Sequence, residues 1–183
     1  MPLVSSSSLI MILKFIFERL LTSAHVVRKQ RHFMKADAAR RVVAALSAYD
    51  PENSLEGRLE VLETQGHTLF LLNGAAVALC IDDAPFFTVR GAAALKPKRH
   101  LVTVDMGAVR FIRNGADVMS PGIVNADLAI EPGDQVAVVD ERHKKPLGVG
   151  TALISGAEMI RAKRGKAIQI RHFVGDKIWQ VSA

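Results

Sequence analysis

The spacing of apolar positions changes along the chain, and each change predicts a different kind of element. In HFMKADAARRVVAALSAY, from His32, the residues Ala38, Val42, Val43, Leu46 and Tyr49 recur at helical spacing opposite Lys35, Asp37 and Arg41. This predicts an amphipathic helix, ended by the turn chemistry of Asp50-Pro51. RLEVLET, TLFLLNG and AAVALCI follow as short β-prone runs, separated by Gln-Gly and by an Asn-Gly pair that signals a tight hairpin. With APFFTV as the last strand they make a meander. RGAAALKPKRH, with its small residues and Pro97, then reads as a junction, and the boundary falls near Lys96.

Beyond Lys96 the alternation quickens. HLVTVD, ADVMSPGI, EPGDQVAVVD, PLGVGTALIS and KAIQIRHFV read as strands, GAVRFIRNG and GAEMIRAKRG as short helices, and Gly175-Asp176 with KIWQVSA as a closing hairpin. Short strands joined by turns and brief helices over about 85 residues describe a compact β-barrel. The expected class is α+β, with a helix and an antiparallel sheet in residues 1–95 and a barrel in 96–183.

The first residues, SSSSLIMILKFIFERLLTSA, have the outline of a secretion signal, but Lys14, Glu18 and Arg19 interrupt the apolar run and no positive charge precedes it. The same charges leave it too polar to span a bilayer. A helix after a serine cap is expected, with a reading frame that starts at Met11 or Met34 as the alternative.

Of the 183 residues 49% are hydrophobic and 23% charged, a balance that excludes a disordered chain. The net charge is +6 and uneven: residues 1–95 hold ten Lys/Arg against nine Asp/Glu, and 96–183 hold fourteen against nine. A basic second half points to nucleic acid or an anionic surface, with solubility alone as the competing reading. The single cysteine, Cys80, lies in an apolar run, so a disulfide framework and a Cys-x-x-Cys metal site are excluded and a reducing compartment is expected.

VDMGAVRFIRNGADVMSPGI concentrates what remains. Gly107 starts a short helix, Gly115 ends it where a left-handed residue is wanted, and Gly122 follows Pro121 at a bend. Arg110 and Arg113 are three apart and share a face, beside an Asn114-Gly115 turn whose amides are expected to be free for a phosphate. With Met119 and Ile123 on the next strand, this is a basic groove with an apolar floor, the combination that phosphates and stacked bases require. Glycines that only shape turns and arginines that only face water are the competing account.

VDMGAVRFIRNGADVMSPGI is similar to the signature of the PUA domain, an RNA-binding module, and HFVGDKIW resembles its closing strands, including the terminal Trp179. The upstream helix and strands resemble the pre-PUA domain of the malignant T-cell-amplified sequence family, archaeal members in particular. The resemblance implies a pre-PUA domain followed by a PUA pseudo-β-barrel. It also implies a non-catalytic, cytoplasmic RNA-binding protein of translation, acting at the small ribosomal subunit in initiation, reinitiation or recycling on rRNA or tRNA. A density-regulated-type protein partner is implied as well, although the extra residues at the front and the short, acidic VNADLAIEPGDQ depart from the eukaryotic pattern. The alternative is a tRNA-binding accessory subunit of an RNA-modifying enzyme.

By matching position, the RNA surface would fall on the helix Gly107 to Asn114 with Arg110 and Arg113, on the Gly115-Ala116 turn, on the strand Val118 to Ile123 with Met119, Pro121 and Gly122, and on the final hairpin from His172 to Trp179. Lys96, Lys98 and Arg99 would extend the track; AKRGK and RHKK at Arg142 to Lys145, the latter expected at a hairpin tip, are the other basic runs, and two of the three gathered onto the Arg110 side would form a continuous strip.

Other chemistry is not expected. Around Arg164 to Ala167, RGKA lacks the first glycine and the Ser/Thr of a phosphate loop, and GVGTAL at Gly148 reads as a strand bulge. The six histidines show no metal-ligand spacing, so neither a metal nor a cofactor is expected. Asp82-Asp83 reads as a solvated turn, and Asp105 as the cap of the Gly107 helix.

Overall fold

The structure is a computed structural model that describes residues 30–49, 57–64, 66–82 and 84–181. The expected serine-capped helix, the Asp50-Pro51 turn and Asp83 lie outside the described residues. The chain enters as a strand, β1 (Gln30–Phe33), so the start of the segment predicted to be helical is extended. Pairing decides this: β1 runs antiparallel to β2 (Leu59–Thr64), and Arg31 donates to the Glu60 carboxylate at 2.6 Å. The helix α1 (Ala36–Ser47) follows and buries Val42 and Leu46, with Ala38, Val43 and Tyr49 half-buried beside them, the stripe its periodicity predicts.

Strands β3 (His67–Leu72), β4 (Ala75–Ile81) and β5 (Ala84–Phe87) complete a five-stranded sheet in the order β1-β2-β3-β4-β5. Asn73 and Gly74 both have positive φ, 51° and 88°, the pair that a tight hairpin turn requires. Cys80, on β4, is half-buried.

RGAAALKPKRH, the stretch read as a junction, opens inside a helix, α2 (Val89–Leu95). Thr88 caps it, accepting from the Gly91 amide at 2.8 Å while its hydroxyl donates to the Ala76 carbonyl at 2.8 Å. The small residues that suggested a junction let the helix lie on β4, since a Cβ on Gly91 would stand 1.8 Å from the Val77 carbonyl oxygen.

The second sheet holds β6 (Leu101–Val104), β7 (Val118–Met119), β8 (Ile123–Ala126), β9 (Gln135–Asp140), β10 (Pro146–Ala152) and β11 (Lys166–Phe173), in the order β7-β11-β10-β9-β6-β8. ADVMSPGI is therefore not one strand. A 3₁₀ turn, Ser120–Gly122, carries the chain from β7 at one edge to β8 at the other, which makes the sheet barrel-like. Helix α3 (Met106–Ile112) links β6 to β7, and α4 (Gly156–Arg161) links β10 to β11. The Arg142–Lys145 run sits at the β9–β10 hairpin tip, and the ladder between β10 and β11 shifts register at Val149/Gly150, the expected bulge.

Over its described residues, Lys177–Val181, KIWQVSA is not a strand. The Asp176 carboxylate accepts from the Trp179 amide at 2.7 Å and the Phe173 amide at 3.0 Å, and this capped turn starts a helix, α5 (Lys177–Val181). The two sheets share a core: Ala137, Val149 and Ile178 pack with the buried residues of the first sheet. Gln135 Nε2 donates to the Ile81 carbonyl at 2.8 Å, the exposed Asp82 pairs with Arg171 at 3.0 Å, and the Arg90 guanidinium lies 4.0 Å from the Trp179 ring centre.

Candidate nucleic-acid interface

Helix α3 packs on the Ser120–Gly122 turn, where the Asp105 amide donates to the Gly122 carbonyl at 2.9 Å and a Cβ on Gly122 would meet Ala108 at 3.2 Å. Asp105 caps the helix as its position predicts, accepting from the Ala108 amide at 2.7 Å. Between α3, the segment Ala116–Met119 and the Pro121-Gly122 bend lies a groove of about 670 Å³.

Gly115 is left-handed, φ 81°, and leaves room for Phe173, whose ring a Cβ there would meet at 2.8 Å. The amides of this turn, however, are not free. Gly115 donates to the Ile112 carbonyl at 2.9 Å, and Asn114 and Ala116 both donate to Phe111 at 3.0 Å. These bonds close the helix as a Schellman turn, so the expected phosphate contact by the Gly115-Ala116 amides is corrected.

Of the residues singled out in the sequence, Gly107, Arg110, Ala116, Met119, Pro121 and Gly122 line the groove. Arg113, Asn114 and Gly115 are exposed just beyond it, and Ile123 is half-buried against the barrel core. His172 has no exposed surface: its Nδ1 lies 2.8 Å from Asp176, where it supports the last turn, so its place on an RNA surface is also corrected. Lys96 and Lys98 border a different cleft, and Arg99, although exposed, lines neither.

Two residues that the sequence reading covered only within longer stretches, Phe111 in the helix Gly107 to Asn114 and Lys166 in the basic run AKRGK, also line the groove. Phe111 is 51% exposed and Met119 49%, and the Arg110 guanidinium sits 4.6 Å from the Phe111 ring centre. The available signal was an apolar excess: VRFI places a phenylalanine beside Ile112, and only Ile112 of α3 is buried. Lys166 reaches the groove because it pairs with Met119 across β11 and β7, a partnership nothing local announces.

The two carboxylates of the groove, Asp105 and Asp117, are both engaged. Lys166 Nζ contacts Asp117 at 2.6 Å, and Asp117 also accepts from the Ile170 amide at 2.8 Å. Partial burial acts to raise the Asp117 pKa, but Lys166, the Ile170 amide and the positive charge of Arg171 outweigh it and hold the carboxyl below its ordinary range. The Asp105 carboxylate is occupied by its cap. Among the described residues Arg110 and Arg113 have no ion-pair partner. A guanidinium on an aromatic face, with an exposed thioether opposite a bare glycine-proline bend, can hold a phosphate while a sugar or base packs on the apolar side chains.

Residues 100–174 match the PUA domain. An uncharacterized protein of Methanocaldococcus jannaschii is 40% identical over 155 residues, which cover 82% of this chain and 96% of that protein. The malignant T-cell-amplified sequence 1 homolog of Drosophila melanogaster is 31% identical over 132 residues, 66% of this chain and 69% of that one. Translation machinery-associated protein 20 of Schizosaccharomyces pombe is 31% identical over 117 residues, 61% and 65% of the two chains. Among solved structures, a hypothetical protein of Pyrococcus horikoshii superposes with a TM-score of 0.77 at 34% identity, covering 84% of this chain and all of its own.

Proposed function

The chain belongs to the PUA-domain family of the malignant T-cell-amplified sequence proteins, and from that premise we propose that it is a non-catalytic RNA-binding protein of the translation machinery. It acts at the small ribosomal subunit in initiation, reinitiation or recycling, on rRNA or tRNA, with residues 96–183 as the RNA-binding domain and a density-regulated-type protein as a candidate partner. The observation that carries this reading is the groove in which unpaired Arg110 stands on exposed Phe111 beside Met119. Arg110 neutralises a backbone phosphate, Arg113 a neighbouring one, and Phe111 with Met119 packs against a sugar or base. The name of the fission-yeast relative, translation machinery-associated, supports the cellular setting. No helix among the described residues is long and apolar enough to cross a membrane.

A salt titration of binding to a fluorescent single-stranded RNA tests this. About four to five phosphate contacts give a log-log slope of roughly −3 to −4. Arg110→Ala with Arg113→Ala lowers affinity and removes about 1.4 from that slope. The melting temperature stays within a few degrees, because exposed charges contribute little to stability. A salt-independent signal, or loss of fold together with binding, refutes the assignment. Affinity purification from cells separates the two settings: small-subunit rRNA supports the ribosomal one, and a modifying enzyme with tRNA replaces it with the accessory-subunit alternative.

A further inference from the structure

A second cleft, of about 820 Å³, opens where α2 ends and shares no lining residue with the Arg110 groove. Lys96 and Lys98 border it at one place, and His143, Lys144 and Lys145 at another. The parallel register of β6 on β9, from Leu101↔Ala137 to Val104↔Asp140, explains the arrangement. One basic run precedes β6 and the other follows β9, so the strand pair separates them by about 10 Å. The floor between them is formed in part by Leu101 and Val139.

Acidic groups are few in this lining. Asp127 is the carboxylate in the lining, and its oxygens already accept the His100 and Ala129 amides at 2.9 and 3.0 Å. Lys96, Lys144 and Lys145 have no ion-pair partner among the described residues and are exposed. Their positions are also fixed. Lys96 and Lys144 hold left-handed backbone, φ 49° and 55°, which is costly for a side-chain-bearing residue and persists only where its surroundings impose it. Around Lys144 the imposing group is Asp140, 4% exposed, whose carboxylate accepts the His143 amide at 2.5 Å and the Lys145 amide at 2.9 Å.

Lysines held on fixed backbone at opposite ends of a strand pair, with an apolar floor and a single carboxylate already engaged by amides, match a repeating anion better than a single small one. We propose that this cleft is a second phosphate-backbone site, which holds a segment of RNA separate from the one at the Arg110 groove and engages both sheets' connections at once. It rests on the RNA-binding reading and adds a contact that the Arg110 groove does not supply.

The test uses the full chain and a fluorescein-labelled 20-nucleotide oligouridylate, with affinity measured against potassium chloride. Lys96→Gln with Lys144→Gln and Lys145→Gln lowers affinity and removes about 2 from the salt slope, three phosphates at about 0.7 each. A charge-matched control, Arg161→Gln with Lys163→Gln and Arg164→Gln, leaves the slope within a few tenths. An unchanged slope in the lysine variant, while Arg110→Ala with Arg113→Ala still weakens binding, overturns the second site and leaves the RNA reading standing. Equal losses from the lysine variant and the control overturn it in favour of net charge. If wild-type protein fails to bind, both readings fall. If polyglutamate binding falls in the lysine variant while RNA binding holds, the cleft belongs to an acidic protein, and the proposal is again overturned.

Discussion

Gly91→Ala sets two physical rules against each other. In an exposed helix interior the change stabilises by about 1 kcal/mol, because alanine has less backbone freedom to lose. Gly91 is buried, and its Cβ position lies 1.8 Å from the Val77 carbonyl oxygen and 2.6 Å from its carbon, both backbone atoms that cannot rotate away. An ordinary carbon–oxygen contact is about 3.3 Å, so α2 must retreat from β4 by more than an ångström. That displacement pulls the Gly91 amide from its 2.8 Å bond with Thr88 and strains the Thr88 bond to Ala76. It also loosens Val89 and Ala92, which are 1% and 2% exposed. A lost cap costs about 1 kcal/mol and overpacking of a tight core about 1–3 kcal/mol. Set against the propensity gain of about 1 kcal/mol, the net expectation is destabilisation by about 1–3 kcal/mol. For a chain of this size that lowers the melting temperature by about 2–12 °C. Calorimetry or circular-dichroism melting of wild-type and variant protein measures it, with Ala93→Gly, an exposed position on the same helix, as the propensity control. A Gly91→Ala melting temperature equal to or above wild type refutes the account of why RGAAAL is glycine- and alanine-rich.

Gly115→Val combines left-handed backbone with a Cβ 2.8 Å from the Phe173 ring, so it lowers both the melting temperature and RNA affinity; Phe173→Ala in the same chain relieves the contact but not the backbone cost, and complete recovery of stability would show that φ at this position is immaterial. Acid provides another check through Asp117, Asp127, Asp140 and Asp176. Burial acts to raise each carboxyl, but hydrogen bonds and neighbouring positive charge outweigh it and hold all of them below the ordinary aspartate range. A carboxyl with a lower pKa folded than unfolded contributes stability above its unfolded value, about 3.9, and loses it as pH falls through the folded value. Melting temperature therefore holds between about pH 7 and 5 and falls steeply below about pH 4, and Asp140→Asn starts lower and falls less; a flat profile down to pH 3 contradicts the assignment.

What the sequence disclosed was what is encoded locally. Asp105 three residues before Ala108, and Gly115 three after Ile112, mark the ends of α3 by capping chemistry that needs no distant partner. The Asn73-Gly74 turn and the Val42/Leu46 stripe are legible for the same reason. The errors occur where a distant partner decides. Gly91 reads as a linker residue until Val77 is known to lie beneath it. ADVMSPGI reads as one strand until β7 is drawn to β11 and β8 to β6, at opposite edges of the sheet. KIWQVSA is the exception: its apolar residues suggest a strand, although the local signal of a helix cap, Asp176 after Gly175, is present in the sequence.

The candidate sites divide along the same line, and the division explains the two basic surfaces. Arg110, Met119 and Gly122 lie within thirteen residues of one another, so a single motif could deliver them to one groove. Lys96 and Lys145 lie 49 residues apart and line one cleft only because β6 pairs in parallel with β9. A parallel pair requires a crossover, and here the crossover contains β8 together with α3, β7 and the 3₁₀ turn, which supply all of the Arg110 groove's lining but Asp105, Lys166 and the turn between α3 and β7. The connection that supplies one surface is thus the connection that permits the other. Perturbing the parallel register should damage both, whereas neutralising side chains in either should spare its counterpart.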